Sequence, residues 1–327
     1  MSSFSFPRFA VFACLLGMLP GVSNADWFEQ ERAIMGTSIT AEVWDTNQQH
    51  AEQCIQKVMT EMHRIDSLMS PFHEDTPLAK INREAGQHPV KTPAELYDLI
   101  KRSFIFSRLS HGAFDISFAS AGYLYDYRKK IKPTDDQLKH VIIDYRQIIL
   151  DDSRQTIKFN KPGMRLDLGG IAKGYAVDNS IKILQGCGIQ HARVSAGGDS
   201  RLLGDRHGRP WIIGIRNPRK AQGTVLALPL NDIAISTSGD YERYFVKDGE
   251  RYSHILNPRT GKSAKGLWSV TVIGPNATTT DALSTTLFVL GVKRGIQLAN
   301  KMKDIDAVMI DSKGIIHYSQ GLAPPGR

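Results

Sequence analysis

The order of strand-like and helical patterns is the feature that most restricts the fold of this chain. Short apolar runs typical of strands recur from residue 148 onward, and they do not alternate regularly with helices as parallel βαβ units require. Turn residues separate many neighbouring runs, and DSKG at 311–314 predicts a hairpin turn between the last two runs, which favours antiparallel pairing. The sequence therefore predicts an α+β fold with mixed, largely antiparallel sheets and packed helices. The predicted strands are 34–44, 148–151, 156–159, 164–168, 191–195, 211–216, 225–229, 233–236, 252–256, 267–273, 305–310 and 314–318.

Amphipathic spacing and capping residues predict three helices ahead of the strand-rich part. Apolar residues at helical spacing predict the first helix over 50–69. The second is expected to start with a capping box formed by Thr92 and Glu95, and to end before Gly112. The third is expected to open at Thr134, which a glutamine follows three residues later.

The first 25 residues have the pattern of a secretory signal peptide. Arg8 precedes the apolar run 9–19, and small residues lead to a predicted cleavage site after Ala25. This run is shorter than the ~20 apolar residues of a membrane-spanning helix. We therefore expect export to the periplasm, one domain over 26–327, and no stable membrane insertion. Lipidation of Cys14 is the alternative, although most of the apolar stretch follows this cysteine instead of preceding it.

Composition excludes several classes of protein. The chain is 41% hydrophobic and 23% charged, which is typical of a globular protein and not of a disordered chain. A net charge of +8 favours anionic ligands without indicating a nucleic-acid surface, so we expect no nucleic-acid partner. Cys54 and Cys187 lack metal-ligand spacing, and each is most simply a buried apolar side chain; their spacing does not establish a disulfide.

A glycine cluster at 165–174, RLDLGGIAKG, follows a predicted strand and opens a helical pattern. Such a turn can aim backbone N–H groups and a helix dipole at a phosphate, with Lys173 as an added cation. Its spacing matches neither a Walker A loop nor a dinucleotide-binding motif. The alternative is a tight turn whose glycines only allow close packing, with Asp167 capping it.

A second cluster, TTTDALSTTLFVLG at 278–291, leads into an apolar helix predicted to start near Thr280. Asp281 and Thr285 are four residues apart, so both side chains should project from one face of the first helical turn. A carboxylate and a hydroxyl group are hard oxygen donors that suit Mg²⁺ or Ca²⁺. The alternative is an acidic residue stabilised by the dipole at a helix N-terminus.

A third cluster, YSHILNPRTG at 252–261, predicts a strand that carries His254 and then a β-turn. The imidazole of His254 could act as a general base or be an ordinary strand histidine. G-x-S-x-G, H-E-x-x-H and paired C-x-x-C motifs are absent from the sequence, which argues against esterases and zinc enzymes.

Together these segments resemble the ApbE family of FAD:protein FMN transferases. The matching segments occur in the family's order and cover most of 26–327. They are MGTSITAEVW at 35–44, MSPFHEDTPLAKIN at 69–82, AGY at 121–123, DLGGIAKGYAVD at 167–178, SAGGD at 195–199, HILNPRTG at 254–261 and DALSTTLFVLG at 281–291.

The resemblance implies a fold related to the T-fold, a periplasmic enzyme, and two small-molecule requirements, Mg²⁺ and FAD as substrate. Enzymes of this family split the FAD pyrophosphate, attach FMN to a Ser or Thr hydroxyl of a partner protein through a phosphoester, and release AMP. The implied acceptor is a flavoprotein subunit of a membrane redox complex or a respiratory regulator. The alternatives are a Mg²⁺-dependent FAD pyrophosphatase and a flavin-binding protein without catalytic activity.

The same resemblance implies roles for individual residues. Mg²⁺ would be held by the backbone carbonyl of Ala172 and the side chains of Asp281 and Thr285, and His254 would be the general base. Phe72 stands where the family often has tyrosine, so we expect ring packing there without a hydroxyl contact. The residues expected to bind FAD, including Lys173 from the glycine cluster, are Met35, Phe72, Ala121, Gly122, Tyr123, Gly169, Lys173, Tyr175 and Ile255.

Overall fold

The structure is a computed structural model that describes residues 25–220 and 223–323. The predicted signal peptide, apart from Ala25, therefore lies outside the described residues. The helices are α1 (Gln48–Met69), α2 (Pro77–Glu84), α3 (Ala94–Leu109), α4 (Ala119–Gly122), α5 (Asp135–Lys139), α6 (Ala172–Gly186) and α7 (Ala277–Ala299). None of the helices in the described ranges is long and apolar enough to cross a membrane.

The strands are β1 (Asp26–Ile34), β2 (Thr37–Asp45), β3 (Val90–Lys91), β4 (Ile148–Asp151), β5 (Thr156–Phe159), β6 (Ala192–Ala196), β7 (Asp199–Leu203), β8 (Trp211–Arg216), β9 (Thr224–Leu230), β10 (Ala234–Gly239), β11 (Tyr244–Lys247), β12 (Glu250–Ser253), β13 (Leu256–Asn257), β14 (Lys262–Ser263), β15 (Leu267–Gly274), β16 (Asp306–Asp311) and β17 (Ile316–Tyr318). Eight of them form one sheet in the order β1-β2-β6-β7-β10-β15-β16-β17. Every neighbouring pair in this sheet is antiparallel. The predicted α+β class with largely antiparallel sheets is confirmed.

Helices α1, α6 and α7 pack side by side on this sheet. Helix α1 contacts β1 and β2, α6 contacts β6 and β7, and α7 contacts β10 and β15. The apolar face of α1 supplies eight buried residues, and Asn47 caps its first turn by accepting from the His50 N–H. Helix α6 contacts both α1 and α7, and a Cβ added at Gly174 in its first turn would lie 2.1 Å from the Ala277 carbonyl oxygen, so the N-terminus of α6 lies beside α7.

Hairpin turns and capping groups predicted from the sequence are partly confirmed. The capping box at Thr134 and the hairpin between β16 and β17 are both present. The predicted capping box at Thr92 is wrong, because the Thr92 hydroxyl donates to the Val90 carbonyl. The Glu95 carboxylate is instead bound by Arg64 of α1.

The predicted strand 164–168 is wrong, because this segment is not part of any strand of the structure. Side chains form the hydrogen bonds with its backbone that a neighbouring strand would otherwise form. Asn82 both donates to the Leu166 carbonyl and accepts from the Leu166 N–H, and the Ser120 hydroxyl accepts from the Arg165 N–H. These contacts satisfy backbone groups that the sheet leaves without partners.

Two further boundaries differ from the prediction. The predicted strand 252–256 is interrupted, so His254 lies between β12 and β13 and not within a strand. Helix α7 begins at Ala277, capped by Asn276, and is interrupted at Gly291, where φ is +75°. Asp281 therefore lies beyond the first turn, and the prediction that placed it and Thr285 there is wrong.

Candidate functional site

Two hairpin turns and the backbone of β10 meet at one end of the large sheet. The hairpin turn between β1 and β2 contains Met35, whose φ of +54° belongs to the left-handed region. The N–H of Gly197, in the turn between β6 and β7, donates to the Ser38 carbonyl. The turn that precedes Asp199 therefore lies against the β1–β2 hairpin, and the backbone of β10 borders it through the Thr237 N–H, which donates to the Gly198 carbonyl.

A lysine held by two aspartates is the centre of the site. Lys173, in the first turn of α6, places its Nζ 2.5 Å from Asp199 Oδ2 and 3.4 Å from Asp281 Oδ1. The other oxygen of Asp281 accepts from the Gly174 N–H at 2.9 Å. One ammonium group thus lies between two buried carboxylates, and when all three groups are ionised they carry one net negative charge.

Burial and mutual charge shift the protonation of this cluster. Burial, with the charge of Asp199 as the second cause, raises the pKa of Asp281 to about 7, although Lys173 and the Gly174 N–H act in the opposite direction. Although burial lowers the pKa of Lys173, the charges of Asp199 and Asp281 raise it above its ordinary value. An additional cation beside Asp281 would therefore stabilise its ionised form.

The predicted metal-binding residues are brought together by the contact between α6 and α7. A Cβ added at Gly174 would lie 2.8 Å from Asp281 Cβ, and one added at Gly170 would lie 3.4 Å from Thr285 Oγ1. Ala172 lies between these two glycines in sequence. The three residues that the sequence assigned to a metal therefore share one corner of the structure.

This corner fits a hard divalent cation in the chemistry of its donors. Asp281 offers a carboxylate, Thr285 a hydroxyl group, and Ala172 a backbone carbonyl, all of them oxygen donors. The Thr285 hydroxyl group already lies 3.2 Å from the Ser238 hydroxyl group, which orients it. No group of three His, Cys, Asp or Glu side chains that could hold a metal by themselves occurs in 25–220 or 223–323.

Asp178 fixes the position of α7 relative to α6. Its two carboxylate oxygens accept from the backbone N–H groups of Ala277 and Thr278, at 2.7 and 2.8 Å. The carboxylate at the N-terminus of α7 is therefore that of Asp178 on α6. The alternative that Asp281 is stabilised there by the helix dipole would have required Asp281 in this place.

Much of the glycine turn's backbone is already bound within the protein. Asp167 Oδ1 accepts from the Gly169 N–H, the Ala172 N–H donates to the Leu168 carbonyl, and the Gly174 N–H donates to Asp281. The capping role considered for Asp167 is therefore confirmed. Positive charge for a phosphate comes more directly from the Lys173 side chain than from these N–H groups.

His254 shares its electrostatic surroundings with the lysine cluster. Its Nδ1 lies 3.2 Å from the Arg243 carbonyl oxygen. In the tautomer where Nδ1–H donates to that carbonyl, the lone pair is on Nε2. Surrounding protein atoms lower the pKa of His254 to about 4, and the positive charges of Arg243 and Lys173 add to this effect. The ring is therefore neutral near pH 7 and able to accept a proton.

An aromatic pair packs beside Arg165, a residue of the segment that leads into the glycine turn. Phe72 and Tyr123 are stacked with their centroids 6.5 Å apart, and Phe72 is 68% exposed. The Arg165 guanidinium lies over the Tyr123 ring at 4.3 Å, and the Tyr123 hydroxyl donates to the Pro71 carbonyl. An exposed aromatic surface beside a cation suits a flat aromatic ring of a phosphorylated ligand.

The remaining predicted FAD contacts differ in their surroundings. Ala121 and Gly122 pack against the turn that follows His254, through Gly261 and Leu256, and Ile255 is buried. Tyr175 is directed elsewhere, because its hydroxyl donates to Glu95 of α3 at 2.8 Å. The structure thus places Ala121 and Gly122 against the turn after His254 and pairs Phe72 with Tyr123, whereas the Tyr175 hydroxyl is directed to α3.

Sequence reasoning gave no role to several residues that build the site. Asp199 is part of the matching segment SAGGD, and its position after two glycines is the only feature of the sequence that points to a role in the site. Asn82 contacts Leu166, which is 84 positions away in the chain, and Arg243 contacts His254, which is 11 positions away. No local sequence pattern predicts such contacts.

The chain matches the model of the ApbE family over residues 35–309. It therefore belongs to the ApbE family, and the resemblance stated from its motifs is confirmed. A protein of Treponema pallidum called FAD:protein FMN transferase is 30% identical, with 98% of this chain and 95% of the relative covered. A protein of Vibrio cholerae with the same name is 33% identical, with 76% of each chain covered.

Solved structures of the family have the same fold. The ApbE protein of Thermotoga maritima superposes with a TM-score of 0.82 at 34% identity, covering 90% of this chain and 98% of the other. The flavin transferase ApbE of Vibrio cholerae gives a TM-score of 0.80 at 28% identity, covering 91% of this chain and 98% of the other.

Proposed function

We propose that this chain is an FAD:protein FMN transferase that moves FMN from FAD to a Ser or Thr hydroxyl of a partner protein. The bond formed is a phosphoester, and AMP is released. The observation that carries this proposal is the convergence of Lys173, Asp281 and Thr285 in one corner, with the charge of Lys173 also acting on His254. Members of the same family carry this activity in their names.

His254 is the group that we assign to the acceptor hydroxyl. Its Nε2 would take the proton as the acceptor oxygen bonds to the FMN-side phosphorus and the bond from that phosphorus to the bridging oxygen breaks. The Arg243 carbonyl orients the ring for this step. The lowered pKa keeps the base free at neutral pH but also makes the protonated ring short-lived, so the proton should pass on quickly.

Charge neutralisation at the pyrophosphate is assigned to the corner between α6 and α7. The residues that would hold Mg²⁺ are Ala172 through its carbonyl, Asp281 and Thr285. A bound Mg²⁺ would supply positive charge to the phosphate oxygens. Asp199 keeps Lys173 directed into the site, where its ammonium group can stabilise the negative charge on the departing AMP.

Flavin or adenine binding is assigned to the aromatic pair. Phe72 and Tyr123 offer ring surface, and Arg165 and Lys173 offer positive charge at the two ends of the segment 165–173. We assign Met35, Ala121, Gly122, Gly169 and Ile255 to the walls of the same site. Tyr175 would act indirectly, by fixing α6 against Glu95.

We place the activity in the periplasm, after cleavage of the signal peptide at Ala25. The net charge of +8 and the cationic groups Arg243 and Lys173 fit an anionic dinucleotide. The acceptor would be a flavoprotein subunit of a membrane redox complex or a respiratory regulator, and its accessible Ser or Thr would have to reach Nε2 of His254.

Incubation with FAD, Mg²⁺ and a candidate acceptor protein tests the proposal. We expect FMN bound covalently to the acceptor and an equal amount of free AMP, with no transfer when the acceptor Ser or Thr is replaced by Ala. Free FMN and AMP without modified acceptor would instead identify a pyrophosphatase. Unchanged FAD that is nevertheless bound would identify a flavin-binding protein.

A further inference from the structure

Two thiols meet where α1 packs against the C-terminal end of α6. Cys54 is on α1 and is 1% exposed, whereas Cys187 is the half-buried C-cap residue of α6. Lys57, three residues after Cys54 on α1, places its Nζ 3.8 Å from Cys187 Sγ, and the Cys187 side chain contributes to a raised pKa of the Cys54 thiol, so the two thiols are neighbours across this contact. Both cysteines are free, and they lie at the opposite end of α6 from Lys173.

A base and a cation flank this pair. His50, one turn before Cys54, has its Nε2 3.5 Å from Cys54 Sγ, and its Nδ1 lies 2.5 Å from Asp45 Oδ2. On the other side, Lys57 Nζ donates to Cys187 Sγ at 3.8 Å. A carboxylate, an imidazole, two thiols and an ammonium group therefore follow one another across the contact between α1 and α6.

The two thiols are not equivalent. Burial raises the pKa of Cys54 to about 12, and the neighbouring Cys187 adds to this shift, so Cys54 reacts only when a base takes its proton. Cys187 is partly exposed and lies beside the Lys57 ammonium group, so it is the thiol of the pair that an external disulfide can reach.

We propose that Cys54 and Cys187 are a dithiol–disulfide site, in which Cys187 attacks an external disulfide and Cys54 resolves the mixed disulfide. In the first step the Cys187 thiolate bonds to one sulfur of the external disulfide, whose other sulfur leaves as a thiolate. In the second step His50 Nε2 takes the proton of Cys54, the Cys54 sulfur bonds to Cys187 Sγ, and the bond from Cys187 Sγ to the external sulfur breaks, so that this sulfur leaves as a second thiolate. The two cysteines lose two electrons, and the external disulfide accepts both.

The product would join α1 covalently to the helix that carries the candidate site. The cross-link closes a loop of more than a hundred residues, for which the loss of chain entropy in the unfolded state is large. It would fix the C-terminal end of α6 against α1 without contacting Lys173. The site therefore gives the chain a redox-dependent stability that does not depend on the proposed transferase activity.

Oxidised glutathione is the probe for this site. Reduced protein is equilibrated with it, digested without reductant, and examined by mass spectrometry. We expect the peptides that contain Cys54 and Cys187 to be joined, and we expect the oxidised protein to melt roughly 5 °C above the reduced protein. Two thiols that stay free, or glutathione that remains on Cys187 of the wild type, would overturn the proposal.

Variants separate the roles of the two thiols and of the base. Cys54→Ala should hold glutathione stably on Cys187, whereas folded Cys187→Ser should remain unmodified because Cys54 is buried. His50→Gln should lengthen the life of the mixed disulfide at least ~10-fold. His63→Gln changes an exposed histidine of the same helix and is the matched control. Equal lifetimes in the two histidine variants would rule out His50 as the base, and adducts on Cys54 would contradict the assigned order.

Discussion

Replacement of Gly174 by alanine tests whether the contact between α6 and α7 builds the site. An added Cβ would lie 2.1 Å from the Ala277 carbonyl oxygen and 2.8 Å from Asp281 Cβ, whereas ordinary van der Waals contact begins at 3.4 Å. The nearest atom belongs to the backbone, so no side-chain rotation can relieve the overlap. The two helices would have to separate by more than an ångström, which would also break the hydrogen bond from the Gly174 N–H to Asp281.

The expected loss follows from these contacts. Overpacking typically costs about 1–3 kcal/mol, and a hydrogen bond to a charged group contributes about 1.5–3 kcal/mol. The better helix propensity of alanine returns about 1 kcal/mol. Gly174→Ala should therefore lower the free energy of unfolding by about 1.5–5 kcal/mol, and FMN transfer at limiting Mg²⁺ should fall at least ~10-fold because Asp281 is displaced.

The same helix provides the control. An added Cβ at Gly186 would meet no atom within 4 Å, so Gly186→Ala should gain up to about 1 kcal/mol from helix propensity and leave transfer unchanged. Urea unfolding and a Mg²⁺ titration of the transfer rate measure both effects. If Gly174→Ala is as stable as Gly186→Ala and responds to Mg²⁺ like the wild type, the close approach of the helices does not position Asp281.

The remaining predictions address the site, the contact between α6 and α7, and the N-terminus. Asp281→Ala should abolish most transfer while the fold survives, and a wild-type rate at limiting Mg²⁺ would contradict the ligand assignment. His254→Asn should bind FAD nearly normally but transfer FMN at least ~10²-fold more slowly; near-normal transfer would make this residue structural. The pKa of His254 is lowered from 6.5 to about 4 in the folded protein, so the unfolded chain binds the proton first as the pH falls. The free energy of unfolding should therefore decrease as the pH falls from 6.5 to about 4, and this decrease should be smaller in His254→Asn. Asp178→Ala should lower the free energy of unfolding by about 1–2 kcal/mol, because the first N–H groups of α7 lose their acceptor. Mass spectrometry of the exported protein should find Asp26 at the N-terminus, and an intact Met1 or a lipidated Cys14 would refute this prediction.

The relation between sequence and structure differs from element to element. The helix 50–69 and the turn that starts at residue 311 were predictable because helical spacing, capping and turn residues act over a few positions. The segment 164–168 has the same apolar character as a strand, yet Asn82 and Ser120 hold its backbone. Local pattern could not distinguish these cases, since a strand is defined by a partner that the pattern does not contain.

The candidate site shows the same division. The sequence by itself determined the residue types in the glycine cluster, in the helix with Asp281 and in the turn after His254, because their motifs are contiguous. Only the tertiary structure decided that Asp199 holds Lys173, that Asp178 binds the first N–H groups of α7, and that burial beside Arg243 lowers the pKa of His254. These interactions join segments far apart in the chain, and their strength depends on burial and on distances of a few ångströms, which only the packing of α6, α7 and the sheet sets.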